Sequence, residues 1–377
     1  MSNNNSIETI QNSVSNLVLS DNSVNNLILS DNELNKTWLL TGITGQDGSY
    51  IADYLLEKGY YNIHGIIRRS STFNTSNIDH IFNKLTLHYG DLTDALNINN
   101  IISKVKPNYI VNLAAMSHVK VSHDLENYTF QVNTLGVLNI LSSVKSLGLE
   151  KTCKIYNAST SEMYGNSTDG SNILNEDSPM VPVSIYGIAK KAAQETCNMY
   201  RDAYNMFIVS SVLFNHESPR RGKTFVTRKI SCHVANYYVN EGNVKPLQLG
   251  NLNARRDWGY AKDYVDGIYK MMIRETPDNY VLATGETHEI REYVELAFKE
   301  INITIEWQGK GVNEVGVNKE TGDILVQVNP KYFRDIDIEC LIGDASKAKR
   351  LLNWEPKTSF KELVHIMVQS DILDLSK

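Results

Sequence analysis

Trp38-Leu39-Leu40-Thr41-Gly42-Ile43-Thr44-Gly45-Gln46-Asp47-Gly48 passes from a short apolar run into a loop with glycines at 42, 45 and 48, and the helical run Tyr50 to Lys58 follows at once. The order is strand, glycine loop, helix. Glycines at this spacing let the chain turn tightly, admit a pyrophosphate to the amide groups at the helix start, and bring helix and sheet close together. Three glycines alone also describe many structural turns. Placed at the first βα unit of the chain, they point to dinucleotide binding.

Outward from this stretch, short apolar runs alternate with helix-period segments, the pattern of repeated βα units feeding a parallel sheet. The expected strands are Trp38 to Leu40, Ile63 to Ile67, Leu85 to His88, Tyr109 to Leu113, Ile155 to Ala158 and Phe207 to Leu213, with long helices at Phe130 to Leu147 and Tyr186 to Tyr204. The fold class is therefore α/β, a Rossmann-type doubly wound parallel sheet. After about Phe214 the alternation turns irregular, and a smaller substrate-binding region is expected over 215–377, interleaved with the dinucleotide-binding region of 37–214. Helical patterns return at Asp344 to Asn353 and Ser359 to Leu373. Residues 1–36 are rich in Asn and Ser, and Asn12 to Asp21 is nearly repeated by Asn22 to Asp31. With little to bury, this segment reads as a flexible extension.

Composition removes several classes. Lys plus Arg number 37 against 43 Asp plus Glu, a formal charge of -6 with no long basic run, so neither nucleic acid nor a membrane surface is an expected partner. Cys153, Cys197, Cys232 and Cys340 are far apart and match no metal-ligand spacing, which suits reduced thiols in the cytoplasm and no structural metal.

The second strand ends in Arg68-Arg69-Ser70-Ser71, with Arg where an acid would select NAD, so NADP is the expected cofactor. Asp91, before Leu92, stands either to meet the adenine end or to cap the next helix. Leu113-Ala114-Ala115-Met116-Ser117 follows the fourth strand, where small residues permit close approach of a cofactor or tight helix packing. Tyr186 and Lys190 lie four apart on one helix face. A tyrosine titrating near ~10 needs about 4 kcal/mol to act as a base at neutrality, and one cation at roughly 4 Å with an effective dielectric near 20 supplies about that much. Thr160 stands to bond a sugar hydroxyl. Glu162 adds a carboxylate that hydride transfer alone does not need but proton removal beside a new carbonyl does.

With these motifs, Ser159-Thr160-Ser161-Glu162, Asn215-His216-Glu217-Ser218-Pro219-Arg220-Arg221-Gly222, Arg256-Asp257-Trp258-Gly259 and Ala261-Lys262-Asp263-Tyr264-Val265, the sequence from Thr37 to about Leu373 resembles the GDP-mannose 4,6-dehydratases of the extended short-chain dehydrogenase/reductase family. The resemblance implies a hydro-lyase that converts GDP-mannose to GDP-4-dehydro-6-deoxy-mannose through an NADP reduced and reoxidised within each turnover, early in GDP-deoxysugar (such as GDP-fucose) biosynthesis. It implies Tyr186 as the base at O4, Glu162 as the base at C5, Thr160 and Ser161 as helpers on the sugar, and Lys190 as support for Tyr186 and the nicotinamide ribose. It adds Tyr128, His216 and Arg221 to the cofactor set, with Arg221 near a neighbouring subunit of a homodimer or homotetramer. Ser117, Asn215, Lys229, Arg256, Arg334 and Asp337 fall to the nucleotide sugar. The family more often has Gly, Gln, His and Glu where this chain has Ala114, Met116, Tyr260 and Asp337.

Two other readings share the motifs. A sugar-nucleotide C4 epimerase would use Thr160, Tyr186 and Lys190 without Glu162 as a base. A nonenzymatic NADP-sensing scaffold would need none of the four.

Overall fold

The computed structural model describes residues 29–165, 173–332 and 342–376. Seven parallel strands form the main sheet, in the order 279–282, 208–213, β5, β4, β1, β2, β3, where β1 is Trp38–Thr41, β2 Ile63–Ile67, β3 Thr86–Tyr89, β4 Tyr109–Asn112 and β5 Lys154–Ala158. The order reverses direction beside β1, which opens a crevice at the carboxyl ends of β1 and β4, the usual ligand-binding place of such sheets. Helices Gln46–Glu57, Ala95–Val105, Gly136–Ser146, Ile185–Tyr204 and Ala261–Met272 flank the sheet.

The period of two sorts the strand residues between its faces. Trp38, Leu40, Tyr109, Val111 and Tyr156 join one buried cluster with Ile51, Leu55 and Ile268, while Leu39, Ile110, Ile155 and Ile208 join another with Ile140, Leu141 and Cys197. One rung is polar. Thr41, Asn112, Asn157 and Ser210 stand side by side in register, with Thr41 Oγ1 donating to Asn112 Oδ1 at 2.7 Å and Asn112 Nδ2 to Asn157 Oδ1 at 3.2 Å. This is where the apolar core gives way to the site.

The expected strands all form, with ends within a residue of those read from the pattern. The expected continuous helix over Phe130 to Leu147 is instead a helix at Glu126–Phe130, a π turn at Gln131–Leu135 and a helix at Gly136–Ser146. Asn133 explains the break. Its buried side chain accepts from the Met116 amide at 2.9 Å and donates to the Met116 carbonyl at 3.0 Å, and the π turn aims it at that loop.

The last strand of the sheet, Asn279–Leu282, comes from the late part of the chain. A third buried cluster, including Ile230, Val234, Leu247, Tyr293, Phe298 and Leu363, lies under the helices Val226–Val239, Ile290–Lys299 and Phe360–Leu375 and a four-stranded sheet. The end of the Asn-rich segment is docked on the sheet domain. Ser30 caps a short helix, Asp31–Leu34, and Glu33 Oε1 accepts from Tyr109 Oη at 2.7 Å and Tyr60 Oη at 3.1 Å, with Leu29 packed on the core. The earlier repeat copy, and the rest of residues 1–28, lie outside the described residues.

Candidate functional site

Gly42 has φ +68°, and a Cβ there would stand 2.8 Å from the Ala114 amide nitrogen; one at Gly48 would stand 2.3 Å from the Gly42 carbonyl oxygen. These two glycines let the loop after β1 press on the loop after β4 and on its own helix. No side chain caps that helix at Gly45, which leaves first-turn amides to an outside acceptor. A pyrophosphate fits this cradle. Thr41 Oγ1 accepts from the Leu113 and Ala114 amides at 3.0 Å, so the polar rung also shapes the loop Leu113 to Ser117.

At the end of β2, exposed Arg68 donates to Tyr128 Oη, and Arg69 turns back to the Ser70 carbonyl; Ser70 and Ser71 are exposed. Of the two roles left open for Asp91, helix capping goes to Asp94, whose side chain accepts from Asn97. Asp91 holds the amide and hydroxyl of Thr93 at 2.9 and 2.8 Å, beside buried Leu92.

Thr160 caps a short turn, Ser161–Met163, and its oxygen accepts from the Glu162 amide at 3.3 Å. The helix carrying Tyr186 closes on this turn at Gly187, where a Cβ would stand 2.6 Å from the Glu162 carbonyl oxygen. Gly187 is thus the reason Tyr186 and Thr160 can meet, and a glycine in the first turn of a strong helix is its only sequence signal. Ser184 caps that helix by accepting from the Gly187 amide at 3.0 Å, and Ser122 accepts from the Tyr186 amide at 3.3 Å.

The electrostatics differ from the sequence estimate. Lys190 Nζ donates to the Ala158 carbonyl at 2.8 Å and sits 6.0 Å from the Tyr186 ring centre. Burial pushes Tyr186 up to about 12, against the pull of a Thr160 hydrogen bond. Burial also pushes Lys190 down to about 8. The protein's own groups therefore leave the phenol protonated near neutrality, because desolvation outweighs the pull of Thr160 and Arg221.

His216 is buried, with Nδ1 2.8 Å from the Phe214 carbonyl and Nε2 2.9 Å from Asp47 Oδ2. Both neighbours are acceptors, so the imidazolium satisfies both. Burial opposes that charge, but Asp47 overrides it and holds His216 above its ordinary value, and His216 in turn holds Asp47 below its own. Gln46 ties the same strand to the glycine loop, donating to the His216 carbonyl at 3.0 Å and accepting from Ser218 Oγ at 2.8 Å. The side chain of His216 thus braces the glycine loop, and its ring nitrogens are engaged within the protein.

Asn215 lies beside it on the strand Asn215–Glu217. Lys229 Nζ donates to the Gln248 carbonyl at 2.5 Å and lies 4.4 Å over the Tyr332 ring, while half-buried Arg256 donates to the Arg255 carbonyl at 2.7 Å. Ser117 is exposed at the mouth of the β4 loop. Arg334 and Asp337 lie outside the described residues.

A Rossmann sheet, a glycine cradle at the first helix, and Thr160, Tyr186 and Lys190 gathered at the carboxyl ends of its strands define a dinucleotide-binding protein of the extended short-chain dehydrogenase/reductase type. The model of the GDP-mannose 4,6-dehydratase family matches residues 39–367. A GDP-mannose 4,6 dehydratase of Drosophila melanogaster is 51% identical over 345 residues, covering 89% of this chain and 86% of that one. The chain belongs to the GDP-mannose 4,6-dehydratase family. Among solved structures, RMD from Pseudomonas aeruginosa complexed with NADPH shares the fold at a TM-score of 0.71 and 17% identity, over 90% of this chain and 100% of that one. A dTDP-glucose 4,6-dehydratase from Bacillus anthracis in complex with NAD does so at 0.70 and 20%, over 89% and 96%.

Proposed function

We propose that this chain dehydrates GDP-mannose to GDP-4-dehydro-6-deoxy-mannose, with NADP as resident cofactor. The observation that carries the reading is the approach of the Glu162 turn to the Tyr186 helix at Gly187, close enough for the Glu162 charge to reach the Tyr186 phenol. The bound nicotinamide supplies the hydride acceptor for C4 and the donor for C6, and its positive charge in the oxidised form favours the tyrosinate. Tyr186 takes the O4 proton, while Thr160 orients that hydroxyl. Once C4 is a ketone, Glu162 takes the acidified C5 proton. Ser161 then assists departure of the C6 hydroxyl as water. Lys190 and the Gly42 to Gly48 cradle orient the dinucleotide, and Arg68 with Tyr128 receives the ribose 2′-phosphate. Asn215, Lys229 and Arg256 take the nucleotide sugar's polar end, where a diphosphate calls for cationic donors.

Assembly as a homodimer or homotetramer goes with this reading. Its support is the exposed apolar side chains Leu135, Ile188 and Met199 on neighbouring helices. A cytoplasmic location suits the free thiols of Cys153, Cys197 and Cys232.

The test is incubation with C4-deuterated GDP-mannose and mass spectrometry. The expected product has lost one water and carries the deuterium at C6. A product of unchanged mass and inverted C4 would establish the epimerase instead. Glu162→Gln should abolish exchange of the C5 hydrogen with deuterated solvent, and exchange at the unmodified rate would remove Glu162 as the base.

A further inference from the structure

The strand Asn215–Glu217 pairs in parallel with Trp258–Tyr260, and its last residue, Glu217, is only 3% exposed. A carboxylate so placed is costly unless it is paired. Among the described residues, its two partners meet the same oxygen. Thr227 Oγ1, in the first turn of the helix Val226–Val239, donates to Oε2 at 2.6 Å, and Arg221 Nε lies 3.2 Å from it. The Arg221 contact is an ion pair without hydrogen-bond alignment, so charge does the holding.

Two further contacts restrain Arg221. Its amide donates to the Ser218 carbonyl at 3.0 Å, and its guanidinium carbon lies 3.7 Å from the centre of the Phe225 ring. Among the described residues, the ion pair and the ring contact engage the Nε side and the face of the guanidinium. The terminal fork is left to an outside acceptor, the geometry suited to phosphate. The charge of Arg221 also reaches the centre of the site, where it works to lower both Tyr186 and Asp47.

We propose that Glu217 is a positioning residue of the dinucleotide site, which fixes the Arg221 guanidinium in a binding-ready orientation by an ion pair from beneath. The proposal rests on the reading that Arg221 faces the cofactor. A long side chain held before binding loses less freedom when the anion arrives, and this gain appears as affinity. Thr227 in turn fixes the carboxylate, so the first turn of the next helix, which also carries Lys229, is coupled to the same point.

The experiment is a double-mutant cycle on NADP affinity, measured by calorimetric titration of the full chain freed of nucleotide, so that turnover is not the readout. Glu217→Gln keeps the volume and can still accept from Thr227, but removes the charge. It should weaken NADP about fivefold to tenfold in the unmodified background and less than twofold in an Arg221→Met background. Equal losses in both backgrounds, or undiminished affinity in Glu217→Gln, would overturn the role of Glu217. An Arg221→Met protein that binds NADP like the unmodified chain would instead overturn the premise about Arg221, and the proposal with it. If Glu217→Gln does not fold, Glu217→Asp, which keeps the charge but withdraws it by about one bond length, should show the same background dependence.

Discussion

Lys190 is 4% exposed, and its ammonium has the Ala158 carbonyl as its protein partner, so its charge is held in the fold at a cost that pH can reveal. Burial moves it from 10.5 to about 8. Because the folded value is the lower one, the unfolded chain binds more protons between those pH values, and stability rises with pH through that window. The burden on the fold is about 3 kcal/mol at pH 7 and falls to about 1 kcal/mol at pH 10. Lys190→Met removes the titration but leaves the Ala158 carbonyl without its donor, which costs about 1 to 3 kcal/mol at every pH. The absolute stability of the variant is therefore close to that of the unmodified chain at pH 7. The pH dependence of the difference is the sharper quantity. Urea unfolding of both proteins, nucleotide-free and at equal chain concentration, should show the stability of Lys190→Met relative to the unmodified chain falling by about 2 to 3 kcal/mol between pH 7 and pH 10. Tyrosines and cysteines that titrate in the same window do so in both proteins and cancel. A difference that stays flat within about 0.5 kcal/mol would refute the account, since it would mean the ammonium is solvated rather than buried. The charged form of Lys190 is still the major one at pH 7.

Two further outcomes follow from the surface of the domain. Replacing Arg68 and Arg69 together by Ala should weaken NADP at least tenfold while leaving NAD nearly unchanged in a competitive titration, and equal affinities for NADP and NAD in the unmodified chain would reject the 2′-phosphate assignment. The sequence alone suggests that residues 1–36 can all be removed without effect; the docking of Leu29 and Glu33 changes that expectation. A chain starting at residue 29 should melt like the full chain, whereas one starting at residue 37 should lose about 2 kcal/mol, from the bonds to Tyr60 and Tyr109 and the buried apolar surface. Indistinguishable melting of the two truncations would show that the Glu33 contacts contribute nothing.

Features that depend on neighbours along the chain could be read from the residues alone. Six strands were legible because each is a short buried run with period two or continuous apolar character, and the glycine loop because φ and close packing limit those positions to glycine. Tyr186 and Lys190 were legible as a pair because four residues make about one helical turn, and Glu162 was legible as a base because hydride transfer alone does not call for a carboxylate. The tertiary structure decided what distant segments do to one another. Nothing local says that Asn279–Leu282 enters the first region's sheet beside Ile208–Leu213, that the π turn at Gln131–Leu135 delivers Asn133 to the Met116 loop, or that Glu33 meets Tyr60 before β2 and Tyr109 on β4. The direction of the Lys190 ammonium was undecided for the same reason. Helix periodicity places a side chain on a face, but only the Ala158 carbonyl at the end of β5, brought there by sheet packing, settles which oxygen it meets and how far burial moves its proton affinity.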